Sequence, residues 1–224
     1  MIPATATATV IGATGLIGSH LVELLSGDDH FTRVRIVARR MPERVPQGAE
    51  VRVIDFEDPD AFRSAVEGSD ALFCAVGTTR KKVKGDMDAY RKVDHDIPVN
   101  AALHCRETGC GRYLMVSSVG ASSKTGNFYL KFKGDAEDAI AATGIPSVSI
   151  FRPSMLMGKR NESRPAEEIA KVLTSPLSFL FPAKYRPVNG IDVARAMVAA
   201  AKSDVKGFRV YHYNEMMDLI RKQH

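Results

Sequence analysis

The sequence predicts an α/β fold, a doubly wound parallel sheet of about seven strands with helices on both faces. Three observations predict it. Short β-branched or apolar runs alternate with amphipathic helical stretches along the 224 residues, as strand–helix–strand units require. Runs such as VRIVAR, rich in Val, Ile and Ala, read as strands buried on both faces. The first run ends in a glycine-rich turn that leads directly into a helix.

Length and composition bound the rest. A chain of 224 residues suits one domain over 1–224 with a substantial core. Residues 155–190 and 208–224 are read as elements on the substrate side. Apolar residues make up 45% and charged residues 25%, an ordinary globular balance. No apolar run is long enough to cross a bilayer, and no basic region opens the chain as in a signal peptide. Cys74, Cys105 and Cys110 are an odd number with no CxxC pair, so disulfides and structural zinc are not expected and a cytoplasmic location is. The net charge of +5 is modest and dispersed. It suits anionic small molecules and argues against nucleic acid or a membrane as partner.

The first unit is TATVIGATGLIGSHLVELL, Thr7 to Leu25. Gly12 permits a tight turn, Gly15 lets the backbone approach a pyrophosphate, and Gly18 lets the helix pack closely on the strand. The helix N-terminus offers unpaired N–H groups and a positive dipole end to phosphates. This is the strand–turn–helix context of dinucleotide binding, so a Rossmann-like sheet is expected.

The second strand, VRIVAR, ends in Arg39-Arg40. An acidic residue there would bind the ribose 2′-hydroxyl. A guanidinium pairs instead with a 2′-phosphate, so NADP(H) is expected over NAD(H). The third strand is read as Glu50 to Phe56, with Asp55 and Phe56 beside the adenine; Asp55 either accepts from the adenine amino group or caps the Asp58-Pro59 turn. The fourth is read as Asp70 to Gly77, with Cys74 a small buried apolar residue. Arg80, Lys81, Lys82 and Lys84 read as a solvated loop, or as a basic flap over an anionic ligand. Met87 to Thr108 reads as a long amphipathic helix kinked at Pro98. The fifth strand, Arg112 to Ser118, ends in Ser117-Ser118, where ligands bind in open parallel sheets. The next helix, from about Asn127 to Ala142, carries Tyr129 and Lys133 four apart on one face. After the sixth strand, Ser147 to Pro153, an irregular stretch to Val188 precedes a helix, a seventh strand in FRVYHY and a terminal helix.

A hydroxyl at a strand end with Tyr and Lys one turn apart suits proton transfer. Reducing a carbonyl needs a hydride at carbon and a proton at oxygen. A free phenol, with a pKa of about 10, exchanges protons poorly near neutrality. A nearby ammonium and the positive ring of an oxidised nicotinamide favour the phenolate. Lys133 would also bond the nicotinamide ribose, and Ser118 would bond the substrate oxygen.

With these residues in view, the chain resembles the short-chain dehydrogenase/reductase superfamily in its atypical branch, and within it the Tat-interacting-protein oxidoreductase group. The resemblance is carried by GATGLIG, VARR, DFED, CAVGTTRKK, YRKVDHD, VSSVGA, NFYLKFKGDAE, IFRPSML and RNESRP, from residue 12 to about 165. It implies that Thr14, Gly15, Leu16 and Ile17 touch the pyrophosphate and that Arg39 and Arg40 bind the 2′-phosphate. It implies that Val76 and Gly77 border the adenosine ribose, that Leu156 packs near the nicotinamide, and that Arg164 reaches back over the cofactor. Tyr129 would be the proton donor or acceptor, with Lys133 as its partner. The chain departs from the better-known dehydrogenases in lacking an Asn-Ala-Gly motif after the fourth strand, where CAVGTT stands. Their proton relay is extended by an asparagine, for which Asn100 is the substitute considered. A strand alternates its faces, so only one of Ser117 and Ser118 can point at the site; Ser118 is preferred.

Two functions follow from different classes. One is an NADP(H)-dependent oxidoreductase acting on a carbonyl or hydroxyl of a small-molecule substrate. The other is an NADP(H)-binding sensor or scaffold that acts through a protein partner with little turnover. A semialdehyde dehydrogenase would need a second large domain with a nucleophilic cysteine, and an extended sugar-nucleotide epimerase a larger substrate domain. Leu177, Phe179, Leu180 and Phe181 suggest an apolar wall, or ordinary packing under a loop.

Overall fold

The computed structural model describes residues 6–79, 81–158 and 183–222. Its strands are β1 (Thr7–Ile11), β2 (Arg33–Ala38), β3 (Glu50–Val53), β4 (Ala71–Cys74), β5 (Arg112–Val116), β6 (Ser147–Phe151), β7 (Leu156–Met157), β8 (Val188–Asn189) and β9 (Gly207–Tyr211). Seven of them form one sheet in the order β3-β2-β1-β4-β5-β6-β9, and β7 pairs with β8 separately. Every pairing in the large sheet is parallel. The helices are α1 (Leu16–Ser26), α2 (Pro59–Val66), α3 (Met87–Arg91), α4 (Ile97–Glu107), α5 (Phe128–Ala141), α6 (Gly190–Lys202) and α7 (Tyr213–Arg221). This is the doubly wound, Rossmann-like architecture the alternation predicts.

Successive strand residues face opposite sides of the sheet, so it buries two cores. Val10, Ile36, Phe73 and Leu114 pack with Ile17, Leu21, Val193, Met197 and Met216 of α1, α6 and α7. Ile11, Val37, Leu72, Cys74 and Met115 pack with Phe62, Ala101, Cys105, Ala136 and Ile140 of α2, α4 and α5. The inner strands β1, β4 and β6 are therefore buried along their whole length, while the edge strands β3 and β9 are largely exposed.

Several boundaries differ from the sequence expectation. The third strand stops at Val53 because Asp55 begins a turn, its carboxylate accepting the Glu57 N–H at 2.9 Å. The fourth stops at Cys74: Ala75 N–H still reaches the Ile11 carbonyl at 2.9 Å, but β1 then swings away through Gly12. Tyr213 belongs to the last helix, not the last strand. The helix over 87–108 is interrupted by a π-helical turn, Lys92–Asp96, in which the Ile97 N–H bonds the Lys92 carbonyl. Pro98 has no N–H to give the Asp94 carbonyl, and the wider turn absorbs the defect.

The chain leaves β1 toward β2 and β3 in one direction and returns to β4 on the other side of β1. That reversal opens a crevice at the carboxyl ends of β1 and β4, the place where open α/β sheets bind ligands.

Candidate active site

The glycine turn forms one wall of the crevice. Gly12 has φ +86°, and a Cβ there would lie 2.7 Å from the Ala75 carbonyl atoms. Both facts exclude a side chain. At Gly18 a Cβ would lie 2.0 Å from the Gly12 carbonyl oxygen, so α1 can start directly behind the turn only with glycine. Gly15 is the N-cap of α1, and no side chain caps the helix. Thr14 and Gly15 are exposed, and Leu16 is half-buried against Gly158 and Gly190. The Ile17 side chain is buried in the core, so its backbone N–H is what it can offer a phosphate. An uncapped helix start beside an open turn fits a pyrophosphate.

A charged corner forms the other wall. Lys133 on α5 is 3% exposed, and its ammonium pairs with Asp94 of the π turn, Nζ to Oδ1 3.0 Å. The second Asp94 oxygen accepts the Thr78 backbone N–H at 2.8 Å, tying the pair to the segment after β4. Burial alone would lower the Lys133 pKa, but Asp94 and the neighbouring Tyr129 outweigh it and raise it. Tyr129, one turn earlier on α5, is half-buried with its ring edge-on to Tyr90, centroids 6.4 Å apart.

Asp94 is the site residue that the sequence reading missed. Its signal was present: Tyr90, Asp94, Pro98, Ala101 and Cys105, spaced four, four, three and four, form the buried stripe of the helical run. An acid on such a stripe needs a buried partner. Asn100 was considered as the relay substitute; the side chain that reaches Lys133 is Asp94.

The two serines separate cleanly. Ser117 is buried, and its hydroxyl donates to the Glu137 carboxylate, which Arg152 also grips through Nε at 3.0 Å and through Nη2. Ser118 is half-exposed and makes only a long contact, 3.4 Å, to the Val119 carbonyl. Glu137 follows Lys133 by one turn on the same buried face of α5. Between them Gly134 lets the chain after β5 lie on the helix; a Cβ there would meet Ser122 backbone carbon at 2.2 Å. The Ser122 N–H bonds the Leu130 carbonyl at 3.1 Å, which secures that chain.

On the nucleoside side, Arg39 and Arg40 follow β2 and are exposed, with no carboxylate partner among the described residues. Phe56 is a core residue, packed edge-on to Phe62 with centroids 4.9 Å apart, which leaves its side chain unavailable as an adenine platform. Asp55 caps the turn, the second of the two roles considered for it. Val76 and Gly77 line the segment after β4, and Leu156 lies in β7. Arg164 and the apolar residues 177–181 lie outside the described residues. Lys81, Lys82 and Lys84 are exposed, as a solvated loop requires. Cys74 is fully buried, and burial pushes its thiol pKa up, so it behaves as packing. Among the described residues no cluster of His, Cys, Asp and Glu could hold a metal, and no helix is long and apolar enough to cross a membrane. The open turn, the bare start of α1, the unpaired basic end of β2 and the buried lysine together fit a dinucleotide.

Comparison with known proteins agrees. The family described as NAD(P)H-binding matches residues 12–204. Protein HTATIP2 of Rattus norvegicus is 32% identical over 192 residues, 84% of this chain and 78% of that protein. Protein FMP52-1, mitochondrial, of Scheffersomyces stipitis is 31% identical over 231 residues, 96% of this chain and 99% of that one. Among solved structures, MoeE5 in complex with UDP-glucose and NAD superposes with TM-score 0.68 at 19% identity, covering 97% of this chain and 82% of that one, a likeness of fold. The expected cytoplasmic location does not stand. The Scheffersomyces relative and counterparts from Emericella nidulans and Meyerozyma guilliermondii are named mitochondrial, against that expectation. Free thiols report a redox environment and carry no address, so composition could not settle the compartment.

Proposed function

The chain belongs to the NAD(P)H-binding family, in the atypical short-chain dehydrogenase/reductase group with HTATIP2 and FMP52, and from that premise we propose that it is an NADP(H)-dependent oxidoreductase acting on a carbonyl or hydroxyl of a small molecule. The observation that carries the reading is Lys133, buried and charged at the switch-point crevice one turn from Tyr129. NADP(H), when bound, supplies or accepts the hydride. The backbone N–H groups of Thr14, Leu16 and Ile17 would hold its pyrophosphate, the Gly15 N–H being given to the Gly12 carbonyl at 3.0 Å. Arg39 and Arg40 recognise the 2′-phosphate, which favours NADPH over NADH. Asp55, Val76, Gly77 and Leu156 would border the rest.

Tyr129 gives its phenolic proton to the substrate oxygen during reduction and takes it back during oxidation. Lys133 orients the nicotinamide ribose and stabilises the phenolate that forms. Ser118 donates to the substrate oxygen, because the Ser117 hydroxyl is committed to Glu137. Of the stretches read as substrate-side, the described residues 155–158, 183–190 and 208–222 would shape that side.

The test is NADPH oxidation with a panel of aldehydes and ketones, wild type against Tyr129→Phe. Loss of turnover in the variant with nucleotide affinity retained supports the reading. Equal activity in both removes Tyr129 as proton donor. Tight NADPH binding with no turnover on any carbonyl favours the sensor or scaffold reading instead.

A further inference from the structure

Thr78 lies where the chain has left the sheet, since β4 ends at Cys74. Its peptide is nevertheless held on both sides. The N–H donates to Asp94 Oδ2 at 2.8 Å, and the carbonyl accepts the Tyr90 hydroxyl at 3.3 Å. The two holders stand four residues apart, on α3 and on the π turn that continues it. They also meet the two residues four apart on α5. Asp94 pairs with Lys133 Nζ at 3.0 Å, and the Tyr90 ring stands edge-on to the Tyr129 ring, centroids 6.4 Å apart and planes at 83°. One helical stripe therefore touches Tyr129, Lys133 and the segment after β4.

Tyr90 is itself anchored. It is 4% exposed. Phe128 stands edge-on to it with centroids 5.6 Å apart, and Phe132 stacks on it at 6.3 Å with the planes 25° apart. Tyr129 is only half-buried, and among the described residues it meets no second ring. The torsion that turns a phenol ring is broad where nothing packs against it. A ring that cannot swing gives Tyr129 the support it needs to keep one orientation. A buried phenolic hydroxyl also needs an acceptor, and the Thr78 carbonyl, outside the sheet ladder, serves as one.

We propose that Tyr90 is a positioning residue: its ring sets the orientation of Tyr129, and its hydroxyl fixes the Thr78 peptide, so that the phenol and the backbone bordering the nucleotide keep one spacing. The proposal rests on the oxidoreductase reading and adds a residue to its site. Spacing matters there because a misplacement of about 1 Å between reacting groups costs about a hundredfold in rate.

The test uses the full chain and separates ring from hydroxyl. Tyr90→Phe keeps the ring and removes the hydroxyl; Tyr90→Leu removes both. Aromatic carbon relaxation on ring-labelled tyrosine reports how tightly Tyr129 is held, and Tyr129→Phe identifies its resonance. In Tyr90→Leu the Tyr129 order parameter is expected to fall by about 0.2 or more, and in Tyr90→Phe to stay near wild type. A ring equally ordered in all three proteins overturns the proposal. Amide exchange at Thr78 reads the hydroxyl. It is expected to quicken about fivefold in Tyr90→Phe, as the loss of one hydrogen bond implies. An unchanged rate overturns the proposal. With a carbonyl substrate and saturating NADPH, Tyr90→Leu is expected to lower kcat at least ~30-fold while KM changes less than about threefold. Tyr90→Phe is expected to recover most of that kcat. A residue that only fills the core would lower unfolding stability without moving kcat of the folded enzyme, and that result overturns the proposal. If Tyr90→Leu does not fold, the exchange rate in Tyr90→Phe decides. A wild type that turns over no carbonyl sinks the oxidoreductase reading, while relaxation and exchange still decide what Tyr90 holds.

Discussion

The two walls of the crevice are built in opposite ways. The wall at α1 is made of missing atoms: at Gly12 and Gly18 a single methyl would strike backbone at 2.7 and 2.0 Å. Its glycines lie in consecutive elements, β1, the turn and α1, although the backbone that Gly12 approaches is Ala75 after β4. The wall at α5 is made of charged side chains from separate elements, with Asp94 meeting Lys133 and Glu137 meeting Arg152 and Ser117. The first wall tolerates no addition. The second tolerates changes only in matched pairs, because removing one buried charge strands the other.

Breaking the chemistry at the charged wall should have the largest effect. Tyr129→Phe is expected to lower kcat about a thousandfold, near 4 kcal/mol of transition-state stabilisation, with the nucleotide Kd unchanged by calorimetry. Breaking the backbone wall comes next. Gly18→Ala is expected to lower unfolding stability by about 3 kcal/mol in denaturant titration and to weaken nucleotide binding at least ~10-fold. Gly15→Ala sharpens the contrast. Its Cβ would stand 3.3 Å from the Gly12 oxygen, and about 1 kcal/mol or less is expected.

Glu137→Gln should cost about 2 kcal/mol of stability, less than a sealed ion pair because Arg152 keeps 23% of its side-chain exposure and regains some hydration. Arg39→Ala/Arg40→Ala should weaken NADPH about 10-fold and leave NADH nearly untouched, since the proposed role of both guanidiniums is to bind the 2′-phosphate that NADH lacks. The smallest effect belongs to an ion pair away from both walls. Burial raises the Glu50 pKa, but hydrogen bonds from Arg52 and Arg35 overcome this and hold it below its ordinary 4.5. A lowered carboxylate stabilises the fold above its unfolded pKa and loses that contribution as pH falls through the folded value. Glu50→Gln should therefore cost under about 0.5 kcal/mol at neutral pH, its side chain being half-exposed, and the difference should vanish in acid.

The glycine turn was legible because its constraint is local: strand, turn and helix are consecutive, and a positive φ or a close approach leaves its mark in residue type. The sheet was legible for a similar reason, since burial on both faces writes an apolar run. Strand ends were less so. Whether β4 runs to Cys74 or Gly77 depends on where β1 turns away, a property of the neighbour. Tyr129 and Lys133 could be paired by helical spacing, yet the partner of Lys133 lies 39 positions away in the chain. Helical spacing marks Asp94 as buried without saying what it meets.

By itself the sequence determined the alternation of elements, the open turn at Gly12 to Gly18 and the shared face of Tyr129 and Lys133, because each follows from backbone geometry over a few residues. Only the tertiary structure decided that Ser117 turns to Glu137 while Ser118 keeps just a long contact to the Val119 carbonyl, and that Asp94 rather than Asn100 closes on the lysine. Those choices follow from which buried charges the sheet crossover and the π turn bring within hydrogen-bonding distance, a result of packing between elements that no local pattern records.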